Sequence, residues 1–159
     1  MRKPVLAAAA LIAAAASFAV GQETPKDLTA TYDTLADVIL GAKRSEKNLV
    51  RAILEQHRSA GAAAVAAGDS GRAAAEMALF ANEGDNAVGG IRKRLLEGGH
   101  HHNAEGEAKG IYDEGFVVVT KAAKKECLGA SMEMQKASDD AGRKAAWAKF
   151  DAAAASVLK

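Results

Sequence analysis

Apolar and small residues recur along this chain at steps of three and four, the spacing that places side chains on one face of an α-helix. The pattern divides residues 22–159 into four predicted helices, at about 27–67, 70–97, 113–137 and 139–158, with a loop over 98–112. The second predicted helix has the most regular stripe, formed by Ala74, Met77, Ala81, Gly84, Val88, Ile91 and Leu95. A stripe of this kind is typical of the contact seam of a helical bundle.

The other three predicted helices carry inward stripes of the same spacing. These are Leu35, Ile39, Ala42, Leu49, Ile53, Ala60 and Ala64 in the first; Phe116, Val119, Ala123, Cys127, Ala130 and Met134 in the third; and Trp147, Phe150, Ala154 and Val157 in the fourth. Composition agrees with helices, because alanine is abundant and both prolines lie at or before Pro25. Only 4% of the residues are aromatic, so close approach over small side chains has to supply much of the packing.

Short polar turns separate the helices within two predicted hairpins. Gly68 is followed by Asp69 and Ser70, which predicts a glycine that ends one helix and a side chain that caps the next. The residues 138–140, Ser-Asp-Asp, have the same capping character before the fourth helix. Because short turns join antiparallel neighbours, the sequence predicts an all-α, up-down antiparallel four-helix bundle made of two helical hairpins.

Residues 1–21 have the pattern of an export signal. Arg2 and Lys3 precede an uncharged, alanine-rich run that ends in small residues at Ala19 and Gly21. A basic start, an apolar middle and a small-residue end predict cleavage after Gly21 and a periplasmic or secreted protein. An uncleaved membrane anchor is the alternative, because the run is close to the lower length limit of a membrane span, about 17 residues.

Charge and cysteine content narrow the function classes. The chain has 21 basic and 20 acidic residues, so it lacks the positive excess that nucleic acid or an anionic membrane would attract. Cys127 is the only cysteine, which rules out an intramolecular disulfide. No second apolar run is long enough to span a membrane, so we expect the exported protein to be soluble, with no membrane contact after signal cleavage.

Three consecutive histidines in the predicted loop are the clearest candidate for chemistry. His100, His101 and His102 follow a double glycine, and Glu105 or Glu107 is near enough in sequence to add a carboxylate. Imidazole and carboxylate groups bind copper, nickel and zinc, so the sequence predicts a candidate metal site here. A solvated polar loop is the alternative, because adjacent side chains in extended backbone point in opposite directions.

A second candidate comes from helix register. Counting from the turns places six side chains at similar heights near the Gly68 end of the bundle: His57, Met77, Cys127, Met132, Met134 and Trp147. An imidazole with soft sulfur ligands suits copper or haem iron. Ordinary core packing explains the same residues, and His57 lies between two polar neighbours that favour an exposed position.

The sequence contains none of the patterns that would identify an enzyme. It has no Glu-x-x-His pair for a di-iron bundle, no Cys-x-x-Cys-His for covalent haem and no glycine-rich phosphate loop. We therefore expect a non-enzymatic, exported helical bundle with a binding or interaction role, as a homodimer or with another protein partner. Transition-metal binding through His100–His102 is the first alternative, and a haem or copper electron-transfer bundle is the second.

Overall fold

The computed structural model describes Ala36, Leu40 and residues 47–159 of the chain. Residues 47–159 form six helices and no strand, which confirms the predicted all-α class for this part of the chain. The helices are α1, Lys47–Ala66; α2, Ser70–Ala81; α3, Glu83–Glu97; α4, Ala104–Asp113; α5, Lys121–Lys136; and α6, Asp140–Val157. The predicted signal at 1–21 and most of the predicted first helix before Lys47 lie outside the described residues.

The segment predicted as one helix over 70–97 is two helices. The chain leaves helical geometry at Asn82, whose backbone N–H still donates to the carbonyls of Ala78 and Phe80. Asparagine is a weak former of helix interiors, and Gly84 follows two residues later, so the helix is locally easy to interrupt. The apolar stripe nevertheless continues past the break, since Ile91 and Leu95 are both buried.

The predicted loop over 98–112 contains a helix. Ala104, Ala108 and Tyr112 are buried at steps of four on one face of α4, and two glycines within α4 obscure this stripe in the sequence. The predicted third helix, by contrast, starts later than expected. Its β-branched run at 117–120 is not helical, and Thr120 caps α5 by accepting a hydrogen bond from the Ala123 N–H at 3.2 Å.

The chain divides into two compact units. Within the described stretch from 47 onward, the connector unit combines residues 47–53 with Gly84–Val117, and so contains α4 and nearly all of α3. The hairpin unit combines Leu54–Glu83 with Val118–Lys159, and so contains most of α1 together with α2, α5 and α6. The described part of the chain has no helix that is both long and apolar enough to cross a membrane.

Small residues and a few large side chains fill the core of the hairpin unit. Helix α5 packs against both α2 and α6. The largest fully buried apolar side chains of this unit are Leu54, Met77, Phe80, Cys127, Met134 and Phe150. The rings of Phe80 and Phe150 meet edge to face, with centroids 5.2 Å apart, and Trp147 packs beside Phe150 at 5.0 Å.

Two capped turns connect the helices of the hairpin unit. At the end of α1, Gly68 has φ +74°, and the N–H groups of Gly68 and Asp69 donate to the carbonyls of Val65 and Ala64. The Asp69 carboxylate then accepts the Arg72 N–H at 2.9 Å and starts α2. Asp139 does the same for α6, accepting the Gly142 N–H at 2.7 Å. Both capping roles agree with the sequence prediction.

Candidate functional site

A histidine and a glutamate form a polar pair in the core of the hairpin unit. His57 on α1 and Glu76 on α2 are 5% and 8% exposed, and His57 Nδ1 lies 2.8 Å from Glu76 Oε2. A buried carboxylate needs such a partner, because it has lost its hydrogen bonds to water. The pair therefore joins α1 to α2 through a directional contact, in a core that is otherwise mostly apolar.

Sequence reasoning missed this pair because it followed a different stripe of α2. The predicted stripe passes through Met77, whereas Ala73, Glu76 and Phe80 share the adjacent buried face at steps of three and four. The signal was present, since Glu76 lies between two apolar positions of one helical face. His57 belongs to the buried face of α1, and the favoured exposed position is wrong.

Helix α6 lies close to α1 beside this pair. A Cβ atom added at Gly61 would lie 2.8 Å from the Trp147 ring and 3.6 Å from the Glu76 Cβ, so glycine permits the approach. Arg58 Nε donates to Asp151 Oδ1 at 2.7 Å, which raises the pKa of the guanidinium. Residue 58 contacts residue 151, and residue 61 contacts residue 147. Because the residue number rises along α1 while it falls along α6, the two helices are antiparallel.

The side chains that were grouped by register for copper or haem have different environments. Met77, Cys127 and Met134 are completely buried, whereas Met132 is 57% exposed. Burial raises the pKa of the Cys127 thiol to about 11, helped by the nearby charge of Glu126, so the thiol is protonated at neutral pH. Met77, Cys127 and Met134 are therefore packing groups of the core, Met132 lies at the surface, and His57 is paired with Glu76.

Helix α6 has two different faces. Its inner face is buried and consists of Ala146, Phe150, Ala153, Ala154 and Val157. Its outer face carries alanines at steps of four and three, of which Ala141, Ala145, Ala148 and Ala152 are exposed and Ala155 is half-buried. The outer face of a helix that contacts only water usually carries polar residues. Because the outer face of α6 carries a stripe of alanines instead, it is a candidate interaction surface.

The three consecutive histidines lie between α3 and α4, and all three are exposed. Glu105 and Glu107 are exposed in the first turn of α4. Among these residues the structure brings His100 and Glu107 together, with Nδ1 and Oε2 separated by 3.8 Å. Within the described part of the chain, no three His, Cys, Asp or Glu side chains already form a group that could hold a metal ion.

No family model, curated protein or solved structure matches the chain. The features of the chain that bear on its function are the α6 outer face, the buried polar pair and the histidine segment.

Proposed function

We propose that this protein is an exported, non-enzymatic helical bundle that acts through protein–protein interaction, with a second copy of the chain as its partner on the α6 outer face. The observation that carries the proposal is the exposed alanine stripe at Ala141, Ala145, Ala148 and Ala152. Its spacing is that of a helix–helix seam, and alanine allows two helix backbones to approach closely.

The architecture that presents this face is an antiparallel four-helix bundle formed by α1, α2, α5 and α6. Its support is the pair of short capped turns, which make α1 and α2 one hairpin and α5 and α6 another. A hydrogen bond from the Ser131 hydroxyl to the Ala74 carbonyl, 2.8 Å long, joins the two hairpins in the core. In such a bundle the outer side of α6 faces away from the core and presents the alanine stripe.

Charges beside the stripe favour an antiparallel pairing of two α6 helices. Lys144 and Asp151 lie on the same flank of the outer face, on opposite sides of Ala148 in sequence. Within one copy they pair with Asp140 and Arg58, so a partner's charges would add to or exchange with these pairs. If two copies cross antiparallel at Ala148, Lys144 of each copy approaches Asp151 of the other. Such complementary charges set orientation more than affinity, so they favour this arrangement over a parallel one.

The dimer is tested by sedimentation velocity of the untagged protein over a range of concentrations. We expect a concentration-dependent monomer–dimer equilibrium that Ala148→Arg weakens at least about tenfold, equivalent to about 1.4 kcal/mol. Ala75→Arg is the matched control, because Ala75 is an exposed alanine on α2 away from the stripe. A wild-type protein that stays monomeric at high concentration, or equal effects of the two substitutions, would contradict the proposal.

Orientation is tested by crosslinking through introduced cysteines. In an antiparallel pair centred on Ala148, the Ala141→Cys protein should form disulfides with the Ala155→Cys protein more readily than with itself. The native Cys127 does not interfere, because it is completely buried. Preferential crosslinking of Ala141→Cys with itself would indicate a parallel pair and would refute this part of the proposal.

Export is the proposal's cellular component, supported by the basic, apolar and small-residue order of residues 1–21. Expression of the whole chain in a bacterium with a Sec pathway should yield a periplasmic protein whose first residue is Gln22. Mass spectrometry of the fractionated protein checks this, and retention of residues 1–21 at the membrane would contradict cleavage.

A further inference from the structure

The end of α3 fixes the backbone of His100. Gly99 has φ +88°, and its N–H donates to the Leu96 carbonyl at 3.1 Å. The His100 N–H donates to the Leu95 carbonyl at 2.9 Å, which completes the standard hydrogen-bonded ending of a helix at a left-handed glycine. His100 is therefore held directly at the C-terminal end of α3, where the helix dipole favours a cation.

The start of α4 brings Glu107 back toward His100. Asn103 has left-handed backbone geometry, φ 57° and ψ 35°, which reverses the chain before α4 begins. The Glu107 N–H donates to the Asn103 carbonyl at 3.0 Å and places Glu107 in the first helical turn. Both residues belong to the connector unit, so their separation of 3.8 Å is a property of one compact body.

This separation suits two ligands of one metal ion. Imidazole nitrogen and carboxylate oxygen each bind zinc at about 2.0–2.2 Å, which places two donors of a tetrahedral site about 3.4 Å apart, so a small side-chain adjustment from 3.8 Å brings both onto one ion. His100 and Glu107 remain 58% and 43% exposed at the side chain, which leaves room for an ion and its water ligands. The backbone of both residues is fixed by hydrogen bonds, so the two side chains are held near each other.

We propose that His100 Nδ1 and Glu107 Oε2 are the anchoring ligands of a surface site for a borderline divalent ion such as zinc, nickel or copper, completed by an imidazole of His101 or His102 and by water. The two remaining histidines are exposed and next in the chain. Rotation of one of these side chains toward the pair supplies a third protein ligand. This inference does not depend on the dimer.

The test is calorimetric titration of the protein, purified without a polyhistidine tag, with zinc chloride and separately with nickel chloride. We expect one ion to bind per chain, and His100→Ala to weaken binding at least about tenfold, the effect of losing a well-placed group at a metal site. Glu107→Gln should weaken it as well. Glu105→Gln is the matched control and should not, because Glu105 lies in the same helical turn but outside the pair.

Two results would overturn the proposal. The first is the absence of saturable binding of either ion at millimolar concentration. The second is equal weakening by His100→Ala and His102→Ala with no effect of Glu107→Gln, which would mean unstructured chelation by any of the three imidazoles. Long-range ¹H–¹⁵N spectra of the zinc-bound protein give an independent check, because the His100 Nδ1 signal should shift as a metal-bound nitrogen together with one ring nitrogen of either His101 or His102, while the third histidine of the segment should not shift.

Discussion

Two glycines of the hairpin unit are both helical and differ in what surrounds them. A Cβ at Gly61 would lie 2.8 Å from the Trp147 ring, whereas a Cβ at Gly129 would meet nothing within 4 Å. Replacing a helical glycine by alanine stabilises a helix by about 0.5–1 kcal/mol. Forcing an extra carbon into packed surroundings costs about 1–3 kcal/mol. We therefore expect Gly61→Ala to lower and Gly129→Ala to raise the free energy of unfolding.

Chemical denaturation of the two variants beside the wild type measures these opposite signs. Because the substitution is the same, helix propensity cancels in the comparison and the difference reports the contact with Trp147. A Gly61→Ala protein that gains as much stability as Gly129→Ala would mean that α6 does not lie against α1 at this position.

Because His57 and Glu76 form a buried pair, we expect the loss in free energy of unfolding to be larger for removing one side chain than for removing both. His57→Leu removes the hydrogen-bond partner of Glu76 and leaves the Glu76 carboxyl group buried, which should cost about 1–3 kcal/mol. Adding Glu76→Leu removes the stranded group, so the double variant should recover part of the loss. Urea denaturation of the four proteins in this cycle gives the coupling. Strictly additive effects would show that the two side chains do not interact.

Cys127 predicts a loss of stability at alkaline pH. Burial raises the pKa of its thiol from 9.0 to about 11. Above pH 9 the unfolded chain releases this proton while the folded chain retains it, so this contribution to folding is complete below pH 9 and is lost as pH rises toward 11. Thermal unfolding of wild type and Cys127→Ala over that range checks this, since the variant should have the shallower pH dependence. Parallel curves would contradict a raised pKa.

Sequence patterns could locate the residues of these sites but not their partners. The buried face of α2 includes Glu76, and the histidines are conspicuous in any reading of the chain. Which carboxylate meets which imidazole depends on helix packing for His57 and on the left-handed turn at Asn103 for His100. Neither is encoded in local spacing, because contacts between helices depend on tertiary geometry.

At the scale of helices, capping predicts where stability is concentrated. Asp139 caps α6 through the Gly142 N–H, whereas the neighbouring Asp140 lies in the first turn and is bound by Lys144 at 2.6 Å. That hydrogen bond holds the pKa of the Asp140 carboxyl below its usual value. Asp139→Ala should cost about 1 kcal/mol because it leaves a backbone N–H without its acceptor. Thermal unfolding should show a smaller loss for Asp140→Ala, and a larger one would contradict the assigned cap.

Helix positions with long uninterrupted stripes were predictable, and breaks were not. Cys127 and Met134 in α5 and Phe150 in α6 lie inside as their spacing predicts. The break at Asn82 was missed because the sequence has only a weak signal for ending a helix there. The helix at Ala104–Asp113 was missed because the sequence has only a weak signal for forming one. At Asn82 the helix is interrupted although the apolar stripe continues, and two glycines masked the short stripe of α4, so packing rather than propensity decided both.

At the scale of the whole molecule, the abundance of alanine means that a few large side chains supply most of the hydrophobic stabilisation. An alanine side chain removes little apolar area from water, so most of the hydrophobic stabilisation of the hairpin unit comes from its buried Leu, Met and Phe residues. The same scarcity explains the alanine seam proposed for the dimer, in which close backbone approach replaces the interlocking of large groups.

The contact between Phe80 and Phe150 should therefore carry an unusual share of the cohesion of the hairpin unit. Both side chains are completely buried, and their rings cross at 81° with centroids 5.2 Å apart, which connects α2 to α6. Each truncation to alanine should cost about 3–5 kcal/mol. The double variant should lose about 0.5–1.5 kcal/mol less than the sum of the single losses, because the favourable ring contact is counted in both. Denaturant unfolding of the cycle measures this coupling, with Phe80→Leu and Phe150→Leu as milder replacements if the alanine variants do not fold. Zero coupling would mean that the rings contribute only as separate apolar groups, and that α2 and α6 are held together through α5 rather than directly.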